Sequence, residues 1–268
     1  MLFRSSGLTA VQVASLTATN FGALTPTQLT NFSTTQLNAI STTDLAALTT
    51  TQLTGLTSSQ IGTLTTTQVS NLSVTAIANL AAEQLTGLSS IQVGSLTSTQ
   101  INAMTVGNMA ALSAGQLSGL TSSQFSTMNT TEFGALTSTQ LGSLTTTQVA
   151  GFSTTDIAFL TAGQLTGLSS TELGAFKGTQ LDALTTTNIA TLTAAQISGL
   201  STTGIAGLDT TAFSAFADTQ LGGMTTTQVA AFSTTAMASL STVQLAGLTT
   251  VQISSLTSPQ IASLSTTS

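Results

Sequence analysis

Eight carboxylates, one Lys and one Arg are all the side-chain acid–base chemistry this chain of 268 residues has, because His, Cys, Tyr and Trp are absent. Without His or Cys the usual catalytic dyads and triads, most metal sites and haem ligation by those residues have no ligands to build on. Paired carboxylates could still act as general acid and base. Asp44, Glu132, Asp156 and Glu172, however, stand singly, each at a place where other stretches of the chain carry Gln. Missing Tyr and Trp removes base-stacking platforms and most sugar-binding aromatics. Glycine-rich phosphate loops are absent as well. The expectation is a protein with no catalytic, cofactor-binding or metal-ligating residue, and not an enzyme.

The elements that hold these side chains follow from a repeat. From Leu8 to Ser263 the chain runs through 32 octads of the form Leu-Thr-Thr-Thr-Gln-Leu-Thr-Gly (Leu48 to Gly55), with no insertion or deletion, and Leu264 to Ser268 begin another. A fixed short period means an array, and it overrides a domain-by-domain reading. Positions 1 and 6 are large and apolar in every copy, from Leu8 and Val13 to Leu256 and Ile261. Position 2 is Ser, Thr, Asn or Asp except at Ala81, Lys177 and Ala217, and position 5 is mostly Gln.

A continuous α-helix does not fit, since eight residues at about 100° each leave the apolar stripe about 80° out of phase per repeat. An unbroken strand would point positions 1 and 6 to opposite faces, so a β-solenoid survives only with a bend in each repeat. A very short helix per octad fits best. Ser or Thr followed three residues later by Gln or Glu is the capping box, and the flanking apolar positions 1 and 6 form the hydrophobic staple. Asn129 and Asp209 at position 2 are the other good N-cap types. Pro26 and Pro259 fall in the first turn, where an amide has no intrahelical partner. Seven acidic residues (Asp44, Glu83, Glu132, Asp156, Glu172, Asp209 and Asp218) lie between N-cap and N3, where the helix dipole favours them, and only Asp182 departs. Gly at position 8 reads as a helix-end residue.

The expected fold class is therefore all-α: an elongated solenoid of capped helices, one per octapeptide, with two octads per coil favoured and three octads as the competitor. The β-solenoid is the alternative. One octad buries too few apolar groups to offset its ordering, so stacked neighbours must supply the remainder. The expected organisation is Met1 to Gly7 as a leader remnant or the edge of a longer array, then a single repeat domain over residues 8–268.

Composition narrows the partners. The formal net charge is −6 and Arg4 and Lys177 are the only basic residues, which leaves nothing to neutralise the phosphates of a nucleic acid. The mean hydropathy of +0.42 reflects small residues and a complete interior, because polar groups interrupt every octad and no run spans a bilayer. Asn31-Phe32-Ser33, Asn71-Leu72-Ser73 and Asn129-Thr130-Thr131 match the N-glycosylation acceptor pattern, but overlap with the octad explains the first two. Regularly spaced Thr could order water as ice-binding surfaces do; positions 3 and 4 vary too much for a lattice match (Ala10, Gly115, Val106, Ile91).

The octads LTTTQLTG, LTSTQLGS and LTTTQVAG resemble the tandem Leu-Thr-x-x-Gln-(Leu/Ile/Val) arrays of very large, repetitive bacterial proteins, secreted or surface-attached, along essentially the whole chain. The resemblance implies a spacer or scaffold in an adhesin-like protein, and with the Gly-Asp-rich nonapeptides of calcium-binding toxin repeats missing, calcium-driven folding is not implied. The expected function is a non-catalytic structural repeat protein: a rod-like scaffold, stalk or filament subunit of the bacterial surface or extracellular matrix. A module binding ice, a polysaccharide or a protein through its Thr-rich face is the competing class. The expected partners are further copies, joined head-to-tail or laterally, or the rest of a larger repeat protein, with neither nucleic acid nor membrane insertion.

Overall fold

A computed structural model describes residues 7–264, and among them lie 32 short α-helices, one in each octad, with no strand. Apart from Gly7, the Met1 to Gly7 leader lies outside the described residues. Each helix has four to six residues, too short to be stable by itself. Every N-cap falls on position 2 in an extended conformation, as at Thr57 (φ −76°, ψ 161°), and the helix α7 follows as Ser58–Thr63. The helix ends when the next position 1 turns inward. Its amide closes the last turn on the position 6 carbonyl, as in Leu64 N–H to Ile61 O at 3.2 Å.

The chain divides into two compact units, Met1–Ala135 and Leu136–Ser268. The first carries α1 (Ala10–Ala14) to α16 (Thr130–Gly134), the second α17 (Ser138–Leu141) to α32 (Ser258–Ser263). In each, a helix packs on the third one along: α1 on α4, α4 on α7 and α7 on α10 in the first unit, α18 on α21, α21 on α24 and α27 on α30 in the second. Three octads therefore make one coil of 24 residues. This corrects the favoured two octads per coil and establishes its competitor. The reason is packing: two large side chains per octad converge from three sides on one interior, where two rows would enclose only a thin strip.

Inside each unit that interior is continuous. Leu37, Leu45, Ile61, Val69 and Phe125 are fully buried in the first unit, as are Leu141, Val149, Ile157, Leu173 and Phe213 in the second. In the second unit Phe213 meets Phe232 edge-on at 4.8 Å, and Phe152 meets Phe176 at 6.4 Å. Successive coils thus touch through interleaved rings as well as aliphatic groups.

Glycine serves a purpose other than ending helices. Among the described residues no Gly has positive φ, so the left-handed C-cap is not used. Position 8 instead passes against the first turn of the coil beneath. A Cβ on Gly119 would lie 1.8 Å from the Ser90 carbonyl oxygen, and one on Gly87 would lie 1.9 Å from that of Ser58. Gly115 is different, for its nearest foreign atom would be the Ser113 Oγ at 3.9 Å. Two alanine substitutions separate these roles. Gly119→Ala should lower the thermal midpoint of unfolding by several degrees through overpacking of about 1–3 kcal/mol, whereas Gly115→Ala should leave it unchanged or raise it slightly through better helix propensity. Thermal melts followed by circular dichroism check both.

Candidate functional site

Most octads present the same polar cluster, and from Gln36 onward its position 5 side chain is buried. In α7 the Thr57 hydroxyl accepts the Gln60 amide at 3.2 Å, and the Thr57 amide donates to Gln60 Oε1 at 2.9 Å. This is the capping box read from the spacing. Asn129 caps α16 by accepting the Thr131 and Glu132 amides at 3.0 and 3.2 Å, and Asp209 accepts Ala212 N–H at 2.7 Å. Where position 2 offers no acceptor, at Ala81, Lys177 and Ala217, only the Gln half remains: each backbone amide donates to the Oε1 of Gln84, Gln180 or Gln220 at 2.8–2.9 Å.

The other end of the Gln has a second task that the spacing did not reveal. Gln60 Nε2 donates to Leu29 O at 2.9 Å, Thr30 O at 3.1 Å and Phe32 O at 2.9 Å, all in the preceding coil. Gln228 does the same with Ile197, Ser198 and Leu200 in the second unit. The side chain is buried, 3% exposed at both Gln68 and Gln228. One primary amide thus accepts within its own helix and donates to the helix end beneath, and both needs are obligatory for buried backbone groups. A signal for this was present. A capping box takes Glu as readily as Gln, yet position 5 holds 21 Gln and only two Glu; a slot that must also donate favours the amide over the carboxylate.

The departures confirm the geometry. Asn108 and Asn188, one methylene shorter, each reach one carbonyl, Leu80 O at 2.8 Å and Leu160 O at 2.6 Å. Asp44 and Asp156 instead turn back onto their own caps, receiving the Ser41 and Ser153 hydroxyls at 2.7 and 2.5 Å. Glu172 still accepts the Ser169 amide at 2.6 Å. Glu132 is 5% exposed, and its Oε2 has no hydrogen-bond partner. The Asn129 amide, which a Gln there would serve, is taken at 2.9 Å by Asn102 Oδ1 from the coil below. Asp182, the one acid outside the helix starts, repeats that device: its Oδ1 accepts the Asp209 amide at 2.8 Å, in an octad whose position 5 is Ala212.

These placements bear on chemistry. The Ser–Asp pairs at 41/44 and 153/156 are hydroxyls already committed to a cap, with no imidazole in the sequence to activate them. Burial pushes the Asp156 carboxyl above the ordinary value, against the Ser153 hydrogen bond that lowers it. Burial likewise raises Asp182; the Asp209 amide opposes this and the Asp209 charge adds to it. Among the described residues no group of three or more acidic side chains converges to hold a metal ion, and no helix is long and apolar enough to cross a membrane. Asn31 and Asn71 of the glycosylation-like triplets bind their own helix ends, Nδ2 donating to Thr27 O and Thr67 O at 2.8 Å.

Comparison with known proteins finds the same kind of repeat. Residues 37–74 and 235–266 match the ALTTAQ repeat family, so the chain is a tandem array of a recognised short repeat in those two stretches. No curated protein matches it.

Removing the cross-coil amide should cost more than removing the cap. Gln100→Ala deletes bonds from Nε2 to Val69, Ser70 and Leu72 carbonyls and from the Thr97 amide to Oε1, and should destabilise by about 2–4 kcal/mol. Thr97→Ala should cost only about 1 kcal/mol; chemical denaturation of both variants gives the order. Glu132→Gln supplies the missing donor and should raise the midpoint. For Asp156 the raised folded value means its contribution is complete below the unfolded value and is lost as pH rises through the folded one. The stability of the parent relative to Asp156→Asn should therefore increase as pH is lowered from neutral toward 4, measured by melts of the two proteins in matched buffers.

Proposed function

We propose that the protein is a non-catalytic structural array, a scaffold, stalk or filament subunit of the bacterial surface or extracellular matrix. The observation that carries this reading is the use to which the Gln side chains of position 5 are put: within each unit, Oε1 accepts from the helix start and Nε2 donates to backbone of the coil beneath, as at Gln36 and Gln260. Side chains of an enzyme site are held in readiness for a substrate; these are consumed by the fold. Most position 1 and 6 side chains are likewise taken up by the interior, although Ile253 and Ile261 are about half exposed. What remains outward is mostly Thr, Ser and small residues with a few apolar ones such as Ile91 and Phe159, nearly free of charge.

Extension by addition of like coils is the property such a chain offers. Its partners are then further copies of itself or the remainder of a larger repeat protein, and its place is outside the cell. The ALTTAQ match supports the array character of this reading. Sedimentation velocity on the purified chain, from dilute to concentrated solution, tests the assembly part: growth in mass with concentration is expected, and a species of constant monomer mass throughout would remove self-association. A screen against polysaccharides and ice tests the competing class. Saturable binding to one of them, abolished by substituting exposed Thr at positions 3 and 4, would replace the scaffold reading with a binding one.

A further inference from the structure

We infer that the second unit has a built-in opening point, between the coil of α22 (Gly178–Asp182), α23 (Thr186–Thr191) and α24 (Ala194–Gly199) and the coil of α25 (Thr202–Ala206), α26 (Thr210–Ser214) and α27 (Asp218–Gly222). The inference does not depend on what the array carries. Within each unit the position 5 amide is the recurring polar link between coils, and Gly204 and Ala212 mark the only two successive octads in which that slot holds no side-chain amide or acid. The carbonyls that this slot would serve, at Phe176 and Leu184, receive nothing from it. Of the three corners of this junction only one keeps its Gln: Gln220 Nε2 donates to Ile189, Ala190 and Leu192 carbonyls at 3.0, 3.3 and 2.8 Å.

Three further features coincide at the same junction. First, the helix start at that remaining corner is capped by Ala217, which has no side-chain acceptor, and beside it lies a cleft of about 290 Å³ lined by Ala190, Leu192, Ala194, Ala217, Thr219 and Gln220. Second, the α22–α25 corner is built of glycine: a Cβ on Gly178 would come within 2.9 Å of the Gly207 Cα. Backbones approach closely there, and neither glycine carries a side chain into the gap. Third, at the corner of α26 the polar link is the Asp182 carboxylate on the Asp209 amide at 2.8 Å, on a half-buried side chain open to water competition. By contrast the coil of α10 (Ala82–Leu85), α11 (Ser90–Gly94) and α12 (Ser98–Ile101) carries Gln84, Gln92 and Gln100, and each reaches two or three carbonyls beneath. Sub-global opening begins where buried contacts and protected hydrogen bonds are fewest. It should begin at Gly204 and Ala212.

Hydrogen–deuterium exchange on the full chain, resolved by peptide mass spectrometry, tests this. Amides of residues 201–216 should exchange at least about tenfold faster than those of 82–101; equal protection of the two segments would overturn the inference. Ala212→Gln restores the slot and should slow exchange over 209–216, while unchanged exchange in a folded variant counts against it. Should that variant fail to fold, Gln92→Ala decides the question from the other side. Deleting one link from a fully linked coil should raise exchange at 88–95 toward the rate of 201–216, and no local change there would show that the slot does not set where coils part.

Discussion

A helix of five residues cannot satisfy its own backbone. Nearly every amide in it belongs to a first turn and nearly every carbonyl to a last turn, so only its last amides pair locally, as Val93 N–H does with Ser89 O and Leu96 N–H with Val93 O. Burying such helices against one another is possible only if something outside the helix supplies both a donor and an acceptor at each end. In this chain one side chain does so. The carboxamide of position 5 accepts from the helix start through Oε1 and donates to the helix end of the coil beneath through Nε2, as Gln92 does with Ser89 above and Ile61 and Leu64 below. The apolar residues at positions 1 and 6 drive the collapse, and the amide decides which collapsed arrangement has its polar groups paired.

This division of labour explains which parts of the fold were legible. The helix starts were: hydroxyl at position 2, amide or acid three residues on, and proline in the first turn carry their mechanism in their spacing. The interior was too, because Leu53 and Leu56 or Ile61 and Leu64 are apolar in a frame that never slips. The number of octads per coil was not. When all octads are alike, a period of eight is equally compatible with any count, and the long-range partner of each Gln is a backbone carbonyl, which leaves no mark on the sequence.

The exceptions hold the information that the consensus lacks. Gly62 and Gly87 are 25 residues apart and touch, as do Gly94 with Gly119 and Gly142 with Gly167. Asn102 with Asn129 and Asp182 with Asp209 are 27 apart and bonded. Both separations are a coil of three octads plus a small remainder. Asp182 and Lys177 look scattered along the chain when each is taken alone. Asp182 acquires a reason once Asp209 and Ala212 are placed above it; for Lys177 at a helix start the structure offers none.

The position 5 bonds also have a direction. Gln52 reaches back to Phe21 and Leu24, Gln116 to Leu85 and Leu88, and Gln252 to Leu221 and Met224; in none of these does a residue wait on one that follows it. On a ribosome, where the amino end emerges first, each coil would meet a finished template as soon as it is released. Every such contact spans about thirty residues regardless of how long the polypeptide becomes, so a longer array would be no harder to complete than a short one.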